Sequence, residues 1–178
     1  VRIHDAGVRD DLLFIAMELI EGRTLAEHVL RHGRLDARQA VAIAVRVAQA
    51  LDHAWARLGL IHRDVNPDNI FLSTAGEVKL GDFGLAKRQD PDAARVTASG
   101  MAVGSPQYMS PEQVSGERDV DHRTDIYSLG CTLLQMIAGV LPFDGRNVVD
   151  IVRSVRTEPL PDIRHFAPEC SDAVIEFI

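Results

Sequence analysis

The stretch Asp125-Ile-Tyr-Ser-Leu-Gly-Cys-Thr-Leu-Leu-Gln-Met-Ile137 is apolar almost all the way round when wound as a helix. A helix without a polar stripe has to be enclosed by other elements, so this segment reads as the buried helix of a core. Pro142 follows shortly after and cannot continue a helix, so it is read as the stop.

Other segments supply what surrounds it. Leu25 to His32 and Ala37 to Arg57 read as helices. In the second, Ala40, Ile43, Ala44, Val47, Leu51 and Ala54 recur at i, i+3 and i+4 spacing, and Gly59 ends it. Ile70 to Leu72 and Val78 to Leu80 read as small strands joined by a Ser-Thr-Ala-Gly-Glu turn. Val148 to Val155 reads as a further helix. Leu12 to Ile20, an apolar run after Asp10-Asp11, is expected to be a buried strand. Residues 89–104 carry no periodicity and are rich in Asp, Ala, Ser and Gly, a loop of the length that is usually functional inside a compact domain. No internal repeat or low-complexity tract interrupts the pattern. The expected architecture is α+β, a helix-rich lobe with a strand remnant at its front.

The 178 residues suit about one domain, with 46% apolar and 25% charged residues, the balance of a globular core. A net charge of −7 gives no diffuse basic surface for nucleic acid or anionic membrane. Cys131 and Cys170 match no metal spacing and read as reduced thiols of a cytoplasmic protein. No apolar run reaches the roughly 18 residues that a membrane span needs. The chain opens Val-Arg-Ile without Met or signal peptide and closes in the apolar Asp172–Ile178 stretch, so both ends read as internal to a longer protein, whose other parts could carry a membrane tether.

The chemistry concentrates in His62-Arg63-Asp64-Val-Asn-Pro-Asp-Asn69, between an apolar helix and an apolar strand. An Asp and an Asn at this separation can point a carboxylate and an amide into one cleft. Asp82-Phe83-Gly84 comes directly after the second small strand. Phosphoryl transfer from ATP is mostly positioning and charge neutralisation. It needs oxygen ligands for a hard cation and a carboxylate that orients the attacking hydroxyl.

These segments resemble the protein kinase family. HRDVNPDN looks like the kinase catalytic loop and DFG like its magnesium-binding motif. Gly104-Ser-Pro-Gln-Tyr-Met-Ser-Pro-Glu112 is similar to the peptide-positioning loop with its closing Ala-Pro-Glu, and Asp125-Ile-Tyr-Ser-Leu-Gly130 to the start of the central buried helix. The motifs occur in the family's order along essentially the whole chain. The resemblance implies a kinase-like α+β fold, with strands and hinge of the N-lobe in residues 1–20 and a mainly helical C-lobe in 21–178, its activation segment at 82–112. The details look like those of bacterial Ser/Thr kinases.

The resemblance also implies roles. Asp64 would be the base towards the substrate hydroxyl, and Asn69 and Asp82 the ligands of Mg²⁺ (or Mn²⁺). Met17 would be the gatekeeper beside adenine, with the Glu18 carbonyl and Ile20 N–H on the purine edge and Phe71 below the ring. Ser105 would position the peptide substrate, and Glu112 would be structural. His62 and Phe83 would stack in a column with Ile3, and the buried Asp125 would accept N–H bonds from the catalytic loop. Arg63 and Lys87 would converge on a phosphate carried by Thr97 or Ser99. Partners would be ATP and a protein substrate, not nucleic acid.

Some features depart from the family pattern. No Gly-rich phosphate loop, strand Lys or partner Glu occurs in these residues, so on their own they are expected to bind Mg-ATP poorly and not to turn over. Asn66 stands where the family usually has Lys. Its amide can donate to the γ-phosphate or to Asp64 but brings no charge, and a lost charged contact in a dry site is worth about 2–4 kcal/mol. Ser105 replaces Thr and keeps the hydroxyl, while Ser110 replaces Ala in what reads as a harmless change. A pseudokinase scaffold is the alternative of a different class, supported by Asn66 and opposed by Asp64, Asn69 and Asp82. A small-molecule phosphotransferase would not need the peptide loop.

Overall fold

A computed structural model of the chain describes residues 1–10, 12–83, 105–117, 119–176 and 178. Its strands are β1 (Ile3–Arg9), β2 (Leu12–Met17), β3 (Gly22–Thr24), β4 (Ile70–Ser73) and β5 (Val78–Leu80). Its α-helices are α1 (Leu25–His32), α2 (Ala37–Leu58), α3 (Pro111–Val114), α4 (Arg123–Ala138), α5 (Val148–Thr157) and α6 (Asp172–Ile175).

The all-round apolar segment forms α4 and lies in the middle of the core. Leu133, Leu134, Met136 and Ile137 are essentially inaccessible and pack with Leu25, Val47, Ile70 and Leu80 from α1, α2, β4 and β5. Each such side chain contributes roughly 1.5–3 kcal/mol by leaving water. The buried hydroxyls of α4 are satisfied: Ser128 donates to Tyr108 O at 2.7 Å and Thr132 donates to Ser128 O at 2.9 Å. A second cluster joins Tyr108, Cys131, Phe143, Ile151 and Val155. There burial pushes the Cys131 thiol up to about 12.

The helix ends follow from caps. Thr24 closes β3 and caps α1, accepting from Glu27 N while the Glu27 carboxylate accepts from Thr24 N. Asp36 caps α2, which ends at Gly59. The stop of α4 is Gly139 rather than Pro142: its φ of 73° places it in the left-handed region, and its N–H closes on Gln135 O at 2.8 Å.

Strands β3, β4 and β5 form one antiparallel sheet in that order, with Phe71 between Thr24 and Lys79. A separate antiparallel pair joins β1 to β2, from Ile3 opposite Met17 to Arg9 opposite Leu12. Leu12 to Ile20 is not the buried strand that its apolar run leads one to expect. The ladder ends at Met17, and all of Leu12–Met17 is exposed, because no layer among the described residues covers the pair. Among the described residues no helix is long and apolar enough to cross a membrane.

Candidate active site

The segment from His62 to Asn69 lies between α2 and β4, and its backbone is held from α4. The Asp125 carboxylate, 4% exposed, accepts His62 N on Oδ2 at 2.8 Å and Arg63 N on Oδ1 at 2.7 Å. Burial pushes this carboxyl above its usual range, against the pull of those two N–H groups. Arg63 has a φ of 65°, a left-handed conformation that costs a residue with a Cβ about 1–2 kcal/mol. Hydrogen bonds hold it there: Asp125 takes its N–H, and Gln113 Nε2 donates to its carbonyl at 2.8 Å.

His62 is fully buried and links this loop to the end of β5. Its Nε2 lies 2.7 Å from Gly81 O, and its Nδ1 faces the Asp64 N–H at 3.3 Å. A backbone N–H can only donate, so Nδ1 is the acceptor and Nε2 carries the proton given to Gly81. Burial lowers the His62 pKa and favours this neutral ring. Gly81 N donates to Asn69 O at 2.8 Å, a second tie between the same elements. A Cβ at Gly81 would come within 2.6 Å of the Phe71 ring, so a larger residue there requires that ring to shift. The His62 and Phe83 rings lie 4.7 Å apart at 58°. Ile3, expected as a third member of that column, is 45% exposed on β1, opposite Met17.

Asp64 and Asn69 come together. Asn69 Nδ2 donates to Asp64 O at 2.8 Å and to Asp64 Oδ2 at 3.2 Å, which leaves the Oδ1 end of the amide directed elsewhere. Asn66 is 2% exposed and turned inward: Oδ1 accepts Asp68 N at 2.9 Å and Nδ2 donates to Asp64 O at 3.1 Å. It caps the short 3₁₀ turn Pro67–Asn69, so its amide meets the main chain of Asp64 and not its carboxylate.

Asp82 follows Gly81, is exposed, and has a φ of 52°. Met17 is exposed at the end of β2, whereas Ile20 and Phe71 are half-buried. The Glu18 side chain makes contacts the sequence did not announce, accepting Arg2 N at 2.7 Å and pairing with Lys79 Nζ of β5 at 2.6 Å. The Lys79 hydrogen bond holds the Glu18 carboxyl below the usual range. Ser105 opens the 3₁₀ turn Pro106–Tyr108, and Glu112 is half-buried in α3, without an ion-pair partner among the described residues. Lys87, Thr97 and Ser99 lie outside the described residues.

Sequence reasoning passed over Gln113 and Thr124 and took Ser110 for a harmless replacement. Ser110 and Thr124 are fully buried with their hydroxyls 2.7 Å apart, and Thr124 Oγ1 donates to Gln113 Oε1 at 2.7 Å. Ser110 also caps α3, accepting from Gln113 N while Gln113 Oε1 accepts Ser110 N. The Ser-Pro-Glu-Gln spacing of a capping box was the available signal.

A buried helix thus pins an Asp/Asn loop, and that loop is tied in turn to the end of the short strand before Asp82 and Phe83. The protein kinase domain model matches residues 1–178, and the chain belongs to that family. It is 42% identical to a protein of Clostridium perfringens named as a probable serine/threonine-protein kinase, over 90% of this chain and 23% of that protein. It is 39% identical to the serine/threonine-protein kinase PknB of Mycobacterium leprae (90% and 26%) and 33% identical to PrkC of Bacillus subtilis (100% and 27%). The chain thus spans about a quarter of the length of these curated relatives.

Proposed function

We propose that this chain is the catalytic-loop-bearing part of an ATP-dependent Ser/Thr protein kinase, with residues 1–20 as the hinge side and 21–178 as the lobe. The observation that carries this is the Asn69 amide on Asp64, with the same loop joined through His62 to the residue before Asp82. Asp64 is fixed through its carbonyl, leaving a half-buried carboxylate to orient a Ser or Thr hydroxyl and take its proton.

The donor set suits the divalent cation this family uses. Asn69 Oδ1 and the exposed Asp82 carboxylate are hard oxygen donors, and Mg²⁺ typically takes one or two protein oxygens together with phosphates. Bound there, Mg²⁺ or Mn²⁺ would neutralise charge developing on the phosphates. Phe71, beside Gly81, is read as the apolar surface below adenine, with Met17 as gatekeeper and the Glu18 carbonyl and Ile20 N–H as the hinge groups on the purine edge. Ser105 is read as positioning the peptide, and Arg63, with Lys87, as the cation for a phosphate on Thr97 or Ser99. The retained Asp64, Asn69 and Asp82 weigh against a scaffold without activity.

In the intact protein, transfer of radiolabelled γ-phosphate to Ser or Thr of a protein acceptor tests the reading. Label on those residues, lost in Asp64→Asn, is expected. Label appearing only on a small molecule, or surviving that substitution, would contradict it.

A further inference from the structure

The grips on the loop around Asp64 differ in origin. Asn66 and Asn69 hold the Asp64 carbonyl from within the loop, and Asp125 holds the His62 and Arg63 N–H groups from α4. The peptide plane between Arg63 and Asp64 is gripped at both ends: its N–H by His62 Nδ1 at 3.3 Å and its C=O by Gln113 Nε2 at 2.8 Å. Fixing that plane fixes the direction in which the Asp64 side chain leaves the backbone. Among these side chains, Gln113 alone comes from α3, the end of the Ser105–Val114 segment.

The orientation of the Gln113 amide is determined by its surroundings. Oε1 accepts the Ser110 N–H at 3.1 Å and the Thr124 hydroxyl at 2.7 Å, so the oxygen must lie on that side. With its proton given to Gln113, Thr124 Oγ1 accepts from Ser110 Oγ at 2.7 Å. The hydrogen bonds therefore run one way, from Ser110 to Thr124 to Gln113 and on to the Arg63 carbonyl. Ser110 and Thr124 are fully buried, so water does not compete for this chain.

We propose that Gln113 is a positioning residue for phosphoryl transfer, holding the Arg63–Asp64 peptide so that the Asp64 carboxylate points into the cleft, and linking the seating of α3 to the aim of that carboxylate. The proposal rests on the kinase reading and deepens it. Its chemical signature is the need for a hydrogen-bond donor at the Nε2 position.

Gln113→Glu in the intact kinase tests it. A carboxylate keeps the acceptor for Ser110 N and Thr124 but sets an oxygen against the Arg63 carbonyl, while a protonated carboxyl restores a donor. At pH 8 the variant should lose kcat by about 10- to 100-fold, the scale of a small misplacement of a reacting group, with KM for ATP unchanged. The ratio of its kcat to wild type should rise as the pH is lowered towards 5.5. Amide exchange in a peptide covering residues 61–65 should be faster than in wild type at pH 8 and should match wild type measured at the same low pH, whether or not the protein transfers phosphate. Wild type without transfer would sink the kinase reading alone, since exchange still reports the peptide. A kcat within twofold of wild type, a loss insensitive to pH, unchanged exchange, or a variant unfolded at pH 8 would each overturn the role of Gln113.

Discussion

Asp125, on α4, accepts the N–H of Arg63 at 2.7 Å across 62 residues of chain, and this bond anchors a backbone in the left-handed region beside Asp64. The carboxylate serves two donors at once, because His62 N reaches its other oxygen at 2.8 Å. Asp125→Ala leaves two buried N–H groups unpaired, each worth about 1–3 kcal/mol. Urea unfolding should show a loss of about 3 kcal/mol or more, and a loss below 1 kcal/mol would mean that water replaces the carboxylate.

His62 gives the fold a pH dependence whose sign follows from its lowered pKa. The unfolded ring charges near pH 6.5, while burial keeps the native ring neutral to lower pH. The stabilisation is therefore present above about pH 6.5 and is lost as pH falls through the folded-state pKa. Asp125, raised by its burial, acts in the opposite sense. Between pH 7.5 and 5.5, His62→Phe should be less stable overall but should lose stability less steeply than wild type in thermal melts. Equal slopes would remove His62 as the source.

Much of the fold was legible because it rests on local rules. The all-round apolar α4, the i, i+3, i+4 stripe of α2 and the Gly-bearing turn between β4 and β5 are periodicities and turn chemistry. The pairing of Asp64 with Asn69 was legible as a short motif. What escaped depends on contacts between distant positions. Glu18 with Lys79, and Gln113 with Arg63 and Thr124, are polar residues that alone read as solvated surface. The exposure of β2 escaped for the converse reason: an apolar run signals a tendency to be buried, not the presence of a cover. Ser110 looked harmless because a small hydroxyl leaves no mark on hydrophobic patterning, yet it is fully buried and hydrogen-bonded to Thr124.

Asn66 separates stability from chemistry. Both ends of its amide serve the loop backbone, so Asn66→Lys should cost about 1 kcal/mol, the usual worth of a cap, in denaturant unfolding of the intact kinase. The ammonium brings a charge towards the phosphates, and the transfer rate should equal or exceed wild type. Loss of transfer in a folded Asn66→Lys protein would show that the inward amide is needed for the reaction.

Under the proposed function, Asp64 acts on the substrate hydroxyl while other groups hold the nucleotide. The direct measurement is Mg-ATP affinity by calorimetry alongside single-turnover transfer, in the intact kinase and its Asp64→Asn variant. In Asp64→Asn the affinity should stay within about twofold of wild type and the transfer rate should fall by roughly 10²–10⁴, the contribution of a positioned base. Transfer near the wild-type rate in Asp64→Asn, or a loss explained entirely by weaker Mg-ATP binding, would contradict it.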